Sequence, residues 1–190
     1  MYLPWSSIGS FRCLACGTCC SHFMVPLRAS EALSIAKIFG WDRLEVRKGR
    51  LFIRKHGRAC PFLVRRGSLR VCHLQEFGIK PRACKVWPFH IFRTPEYGKR
   101  EEASLSTRYG TFYVYVDPRC PGISLGRPTD TLLDAVVEAL EIWLGVRTEQ
   151  YLTTSPLGFL GRNGHEWTIP SLVRLAESEP HVFRIHGMMK

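Results

Sequence analysis

The sequence has 190 residues, 45% hydrophobic and 12% aromatic, so it can bury an apolar core without cysteine cross-links. Its net charge of +11 is uneven, because residues 1–100 carry +14 and residues 101–190 carry −3. The longest apolar runs fall far short of the roughly 20 residues that cross a bilayer, and the N-terminus lacks the pattern of a signal peptide. We therefore predict a cytoplasmic protein with no membrane partner.

The first half of the chain predicts one helix followed by short strands. Ser30 can cap a helix with an apolar stripe, which Gly40 then ends. After a turn at 48–50 the residues alternate as in a strand. Residues 60–72 predict a hairpin with a cysteine at each end, near its open side, and residues 73–79 predict a short helix.

The second half predicts strands and then helices. Residues 103–116 read as one or two strands. The clearest helix in the chain follows, capped by Thr129 or Asp130 and ended by Gly145. A shorter helix is predicted over 170–178.

The predicted fold class is α+β, with two regions. Residues 1–124 are expected to form a small cysteine-rich metal-binding core with short antiparallel strands. Residues 125–190 are expected to form a helical extension packed on that core. All the cysteines lie in the first region.

The cysteine spacing favours a metal site or a cluster: Cys13, Cys16, Cys19, Cys20, Cys60, Cys72, Cys84 and Cys120. A Cys-x-x-Cys turn lets two thiolates face one ion at about 2.3 Å, and Gly17 permits the positive φ that such a turn often needs. Eight thiolates could form two zinc sites or a bridged pair, whereas Cys-x-x-Cys-x-x-Cys with a remote Cys-Pro resembles the spacing for a [4Fe–4S] cluster. Disulfides are the structural alternative, which a reducing cytoplasm disfavours. Adjacent Cys19 and Cys20 are expected to point in different directions, which favours two metals or a cluster with a neighbouring thiolate.

Four segments together resemble a known family: CLACGTCC, CPFL, VCHLQEFGIKPRACKVWPF and CPGI. Their order over about residues 13–124 is similar to the YkgJ-type family of zinc- or iron-chelating domains. The matching positions beyond the first segment include Cys60, Phe62, Leu63, Cys84, Pro88, Cys120, Pro121 and Gly122. The resemblance implies a metal-chelating domain and leaves both the metal and the biochemical role open. The chain departs from the family pattern at Lys80 and Lys85, where the family has arginine, and at Trp87, where it has phenylalanine or tyrosine.

Other polar residues lie beside the cysteines. Three cations flank Cys84 and either balance thiolate charge or lie on the surface: Lys80, Arg82 and Lys85. Three histidines near cysteines are either surface residues or further ligands: His22, His73 and His90.

A run of cations predicts a second kind of site. Its members, with aromatic Trp41 and Phe52 nearby, would form a nucleic-acid-binding face: Arg43, Arg47, Lys48, Arg50, Arg54, Lys55, Arg58, Arg65 and Arg66. The predicted partner is RNA, in a ribosome-associated protein, and an ordinary solvated face is the other interpretation.

Three functions follow from these features. The first is a metal-binding protein whose cysteines chelate zinc or an iron or iron–sulfur centre. The second is an RNA-binding protein that uses the basic face with the metal site as scaffold. The third is a metal- or cluster-dependent redox or methyl-transfer enzyme, on a distant likeness of the cysteine region to flagellin lysine methylases. The sequence contains no evident carboxylate pair, nucleophile–base pair or nucleotide loop. The enzyme hypothesis is therefore the least supported of the three.

Overall fold

A computed structural model describes the fold of residues 1–154. Their strands are short: β1 Leu3–Pro4, β2 Ile8–Phe11, β3 Pro26–Leu27, β4 Leu44–Arg47, β5 Arg50–Ile53, β6 Leu63–Arg66, β7 Leu69–Cys72, β8 Phe89–Phe92, β9 Ser104–Thr107, β10 Gly110–Val116 and β11 Ile123–Leu125. The α-helices are α1 Thr18–His22, α2 Ala29–Phe39, α3 Arg82–Val86, α4 Arg100–Ala103 and α5 Asp130–Leu144. Single 3₁₀ turns lie at Trp5–Ser7, Trp41–Arg43 and His73–Gln75. The mixture of helices and antiparallel strands confirms the α+β class.

The strands pair antiparallel in four small sheets. The largest has the order β1–β10–β8, and β9 also pairs with β10. The others are the pair β2–β11, the sheet β3–β5–β4 and the hairpin β6–β7. The predicted hairpin is confirmed, and its register sets Leu63 opposite Cys72 at the open end. No strand of residues 1–154 is long, so the helices and loops must supply much of the packing.

One apolar core, the first core, lies between the largest sheet and α5. Residues Phe112, Val114 and Val116 of β10 are fully buried, as valine and aromatic side chains of a central strand usually are. Leu132 and Leu140 of α5 meet them from the other side. Since β2 and β8 also contribute, the first core joins both ends of the described chain.

The sequence of α5 accounts for both of its ends. The Thr129 hydroxyl accepts a hydrogen bond from the N–H of Leu132, which is the usual bond of a helix N-cap. Gly145 adopts a left-handed conformation with φ of 86° and ends the helix. The predicted helix is therefore confirmed, with Thr129 rather than Asp130 as its cap.

A second apolar core, the second core, lies under α2. It buries Ala32 and Ile35 of that helix against Ile53 of β5, Phe62 beside the hairpin, and Leu74. Gly40 follows the last residue of α2, as predicted. The predicted cap at Ser30 is wrong, because α2 already begins at Ala29 and Ser30 lies inside its first turn.

Two other predicted helices differ from the structure or lie beyond the described residues. The helix predicted over 73–79 is only a 3₁₀ turn at His73–Gln75, followed by Gly78 with φ of 68°. The helix predicted over 170–178 lies outside the described residues. Among the helices of residues 1–154, none has both the length and the apolar character that crossing a bilayer would need.

Candidate metal centre

All eight cysteines line a single cavity of about 40 Å³ between the two cores. A cavity of about 10–15 Å³ is enough to hold one buried water molecule, so this cavity has room for at least one ion. No disulfide joins any of the eight, all of which lie within the described residues. The cysteines that are far apart in the sequence therefore line the same cavity.

Five separate segments deliver these cysteines. Cys13 and Cys16 lie in the loop after β2, and Cys19 and Cys20 lie in the short helix α1. Cys60 and Cys72 lie at the two ends of the hairpin, Cys84 lies in α3, and Cys120 lies in the loop after β10. Backbone hydrogen bonds tie the segments together. The N–H of Cys60 donates to the carbonyl of Cys20 at 3.0 Å, and the N–H of Arg70 donates to the carbonyl of Ala15 at 2.7 Å.

Two glycines allow the cysteine loops to approach one another. Gly17 adopts φ of 75°, and the side chain of Arg70 lies 3.1 Å from the place that a Cβ atom would take. At Gly122 a Cβ atom would be 2.0 Å from the carbonyl oxygen of Arg12, so only glycine fits. The N–H of Arg12 donates to the carbonyl of Gly122 at 2.8 Å, which holds the Cys120 loop beside the Cys13 loop.

The cysteines divide between the two cores. Cys120 and Cys13 pack on the first core. The second core includes four others: Cys20, Cys60, Cys72 and Cys84. The remaining two, Cys16 and Cys19, line the cavity between these groups.

The thiols of Cys19 and Cys20 interact with each other. A hydrogen bond from the Cys20 thiol lowers the pKa of Cys19 to about 7, so Cys19 ionises near neutral pH. The same hydrogen bond, together with burial, raises the pKa of Cys20. The expectation that the two side chains point in different directions is therefore wrong, because both sulfurs face the same cavity.

Burial keeps several of the other thiols protonated. It raises the pKa of Cys60 to about 11 and that of Cys120 to about 11. It also raises the pKa of Cys72 and, further, that of Cys84. Metal ions bind the thiolate form, so loading this site releases protons and becomes more favourable as pH rises.

One cation is buried among the sulfurs. Lys80 lines the cavity and its Nζ donates a hydrogen bond to the carbonyl of Thr154. Burial lowers the pKa of Lys80, while the thiolates that Cys72 and Cys84 can form act in the opposite direction. None of the described residues that line the cavity is an aspartate or a glutamate, so thiolates are the lining groups that can balance this charge.

A turn after α5, residues 150–154, closes one side of the cavity; we call it the closing turn. The buried carboxylate of Glu138 accepts hydrogen bonds at 2.9 Å from the N–H groups of three of its residues: Tyr151, Leu152 and Thr153. The hydroxyl of Thr154 donates to the carbonyl of Cys84, which joins the closing turn to α3. The sequence pattern did not reveal this contact, because it depends on one acid inside a helix that reads as apolar.

The donor chemistry fits zinc or iron, both of which take thiolate ligands. Within residues 1–154, no three side chains of cysteine, histidine, aspartate or glutamate yet stand in an arrangement that could hold an ion. Rotation about its Cα–Cβ bond moves a cysteine sulfur from one staggered position to another. The site is therefore suitable in composition, and loading it requires side-chain movement.

Comparison with protein families gives one match, to the CxxCxxCC model, "Putative zinc- or iron-chelating domain", over residues 12–120. The match covers more than half of the chain. The chain belongs to this family. No match is found among curated proteins or among solved structures.

Membership of the CxxCxxCC family confirms the resemblance drawn from the four cysteine segments. The histidines considered as ligands, His22, His73 and His90, do not line the cavity. His22 bonds the carbonyl of Thr18 in its own helix, and His73 lies 3.4 Å from Glu76. Sulfur is therefore the ligand that this family member offers to a metal within the cavity.

The predicted nucleic-acid face lies on the two hairpins β4–β5 and β6–β7 and the loop between them, and none of its nine residues lines the cavity. Most of its cations are exposed: Arg47, Lys48, Arg50, Arg54, Arg58, Arg65 and Arg66. Arg43 is half-buried and pairs with Asp42 at 3.4 Å. The ammonium of Lys55 turns inward and donates to the carbonyls of Cys20 and Ser21, at 2.8 and 3.2 Å. Lys55 thus satisfies carbonyls at the end of α1 that have no partner within the helix.

Proposed function

We propose that this chain binds zinc or iron through all eight cysteine thiolates and uses the metal to hold its two cores together. The observation that carries the proposal is that eight sulfurs from five segments line one cavity that has no carboxylate in its lining. A soft, sulfur-only set selects zinc or iron–sulfur species over magnesium and calcium, which take oxygen ligands. The zinc- or iron-chelating character of the family agrees with this set.

We further propose two sets of four thiolates. The first contains Cys120 and the cysteines that influence its ionisation: Cys13, Cys16 and Cys19. The second contains the four cysteines that pack on the second core: Cys20, Cys60, Cys72 and Cys84. Cys19 and Cys20 are joined by a hydrogen bond, so the two sets adjoin there, with one member of the pair in each.

The test is metal content together with an absorption spectrum of protein prepared without oxygen. Two zinc ions per chain and a colourless sample would identify two four-thiolate sites. Brown colour with absorption at roughly 400 nm would identify an iron–sulfur cluster in the same thiolates. Protein that binds no metal, or binds it with the cysteines replaced by serine, would overturn the proposal.

Single variants test the division into sets. Cys120→Ser should release one metal and leave the second set loaded, whereas Cys60→Ser should do the opposite. Cadmium-113 NMR can distinguish the two, because each four-thiolate site gives its own resonance. If either variant removes both resonances equally, the eight cysteines form one cluster rather than two sites.

RNA binding is a second candidate function. The register of β6–β7 sets Arg65 opposite Arg70, and like charges in such positions are unfavourable unless an anion lies between them. Arg47, opposite Arg50 in the first hairpin, already pairs with Glu45 at 2.7 Å. Trp41, 62% exposed beside the first hairpin, offers a surface on which a base can stack.

Salt dependence tests this candidate. RNA affinity that falls steeply with salt, and falls by a further factor of ten in Arg50→Gln/Arg65→Gln, would support it. The matched control is Arg100→Gln/Arg108→Gln, which removes two charges from α4 and from the turn between β9 and β10, outside both hairpins. Equal losses in the two double variants would contradict a role for the hairpins.

A further inference from the structure

The position of Lys80 sets it apart from the other cations near the cysteines. Lys80 is only 6% exposed and its ammonium lies in the lining of the cavity. The other two cations that flank Cys84 point elsewhere. Arg82 donates to the carbonyl of Trp143, and Lys85 donates to the carbonyl of Thr148 at 2.7 Å.

The surroundings of Lys80 supply one polar partner and several sulfurs. Its Nζ has a hydrogen bond to the carbonyl of Thr154, which carries no formal charge. A buried cation without a counter-charge is strongly disfavoured. Arg70 also lines the cavity, but its side chain is exposed and adds positive charge rather than balancing it. Among the residues described, the thiolates are what this cation faces.

The protein holds Lys80 in this place through a defined chain of contacts. Glu138, 1% exposed, fixes the closing turn by accepting three backbone hydrogen bonds. The closing turn ends at Thr154, whose carbonyl receives Lys80 and whose hydroxyl binds the carbonyl of Cys84. The ammonium and the Cys84 segment are thus fixed by the same residue.

We infer that Lys80 is the built-in counter-cation of the metal centre, and that it favours metal complexes whose thiolates outnumber the positive charge of the metal. The inference rests on the proposed function and adds a residue that positions charge without binding the metal. Four thiolates around a divalent ion carry a charge of −2, so a nearby fixed cation stabilises the loaded state. Outer partners of this kind commonly change metal affinity by about 10–100-fold.

The test compares cobalt(II) affinity in four variants at neutral pH, with the sulfur-to-cobalt charge-transfer band as the signal. Lys80→Met removes the charge, and Lys80→Gln removes it while keeping a donor for Thr154. Lys80→Arg keeps the charge, and Lys85→Met is the matched control, in the helix α3 that begins two residues after Lys80. We expect both neutral variants to bind cobalt about 10–100-fold more weakly. The arginine variant and the control should stay within about threefold of the wild type.

Each outcome distinguishes the inference from the proposed function. A wild type without a charge-transfer band overturns the proposed function itself. A wild type that binds, together with neutral variants that bind equally well, overturns the role of Lys80 alone. Full affinity in Lys80→Gln with weak binding in Lys80→Met would also overturn it, because the hydrogen bond rather than the charge would then matter.

If circular dichroism shows that both neutral variants are unfolded, the role of Lys80 is tested in the wild-type protein by NMR. In protein labelled with ¹⁵N-lysine, titration with cadmium should shift the Nζ resonance of Lys80 and leave that of Lys99, an exposed lysine remote from the cavity, in place. An Nζ resonance of Lys80 that does not move on loading would contradict the inference.

Discussion

The first and second cores, which lie on either side of the cavity, are built in different ways. The first core contains the longest described strand, β10 with 7 residues, and the longest described helix, α5 with 15 residues. The second core has the 11-residue helix α2, strands of two to four residues, and four cysteines. The first core can be stabilised by apolar burial alone. The second core has less regular structure, so we expect its stability to depend more on a metal bound by its cysteines.

Removal of the metal should separate the two cores, and this is the largest effect that we expect. Without metal, amides of the hairpin β6–β7 should exchange hydrogen at least about a hundredfold faster, because local opening no longer breaks metal–sulfur bonds. Amides of β10 and α5 should change little. Hydrogen–deuterium exchange with mass spectrometry, before and after chelation, measures both regions in one sample. A uniform increase across the chain would contradict the comparison.

Alkaline pH should weaken the metal-free protein. Burial raises the pKa of Cys60 and Cys120 from an ordinary value of 9.0 to about 11. The unfolded chain therefore loses these protons first, so their contribution to stability is complete below about pH 9 and is lost as pH rises towards 11. Each thiol should account for about 2–3 kcal/mol of the unfolding free energy.

Urea unfolding of the chelated protein between pH 8 and pH 11 measures this loss. Cys60→Ala should remove the part of this stability loss that arises in the second core. Cys120→Ala should remove the part that arises in the first core. A loss that stays the same size in both variants would show that other groups cause it.

Much of this comparison could be predicted from the sequence. A cap at Thr129 or Asp130, the end at Gly145 and the hairpin between Cys60 and Cys72 follow from local patterns. The structure confirms them, with Thr129 as the cap. The family could also be predicted, because the order of its cysteine segments is specific. The proposed division at residue 124 stays a prediction, although α5 shares the first core with strands from before it.

The contacts that enclose the site could not be predicted in this way. Lys80 and Thr154 are 74 residues apart, and nothing local to either indicates their contact. The buried carboxylate of Glu138 lies in α5, and the apolar periodicity of that helix does not indicate that an acidic residue is buried. The inward turn of Lys55 likewise depends on the end of α1, a helix too short to show a periodicity.

The junction between the cores should be sensitive to Glu138→Gln. The amide keeps one acceptor oxygen but presents an N–H₂ group to backbone donors, so at least one buried hydrogen bond is lost. We expect the unfolding free energy to fall by about 2–3 kcal/mol. Chemical denaturation measures it, with Glu149→Gln as the exposed control in the segment that follows α5. Equal effects of the two variants would argue against an anchoring role for Glu138.

The smallest effect concerns the first core alone. Thr129→Ala removes the cap of α5 and should cost about 1 kcal/mol of unfolding free energy, with or without metal. Thr131→Ala, two residues further and exposed, should change it by less than about 0.5 kcal/mol. Thermal unfolding of the loaded and metal-free proteins shows whether this cost is independent of the site. A cost that appears only in the loaded protein would mean that α5 is coupled to the metal more strongly than the two-core comparison allows.

The central claim is that all eight cysteines hold metal, and protection of the thiols from alkylation tests it most directly. Protein purified without oxygen is treated with iodoacetamide before and after a strong chelator removes the metal, and mass spectrometry counts the modified cysteines. All eight should be protected in the loaded protein and should react after unfolding without metal. Cysteines that react at the same rates with and without metal would contradict the claim.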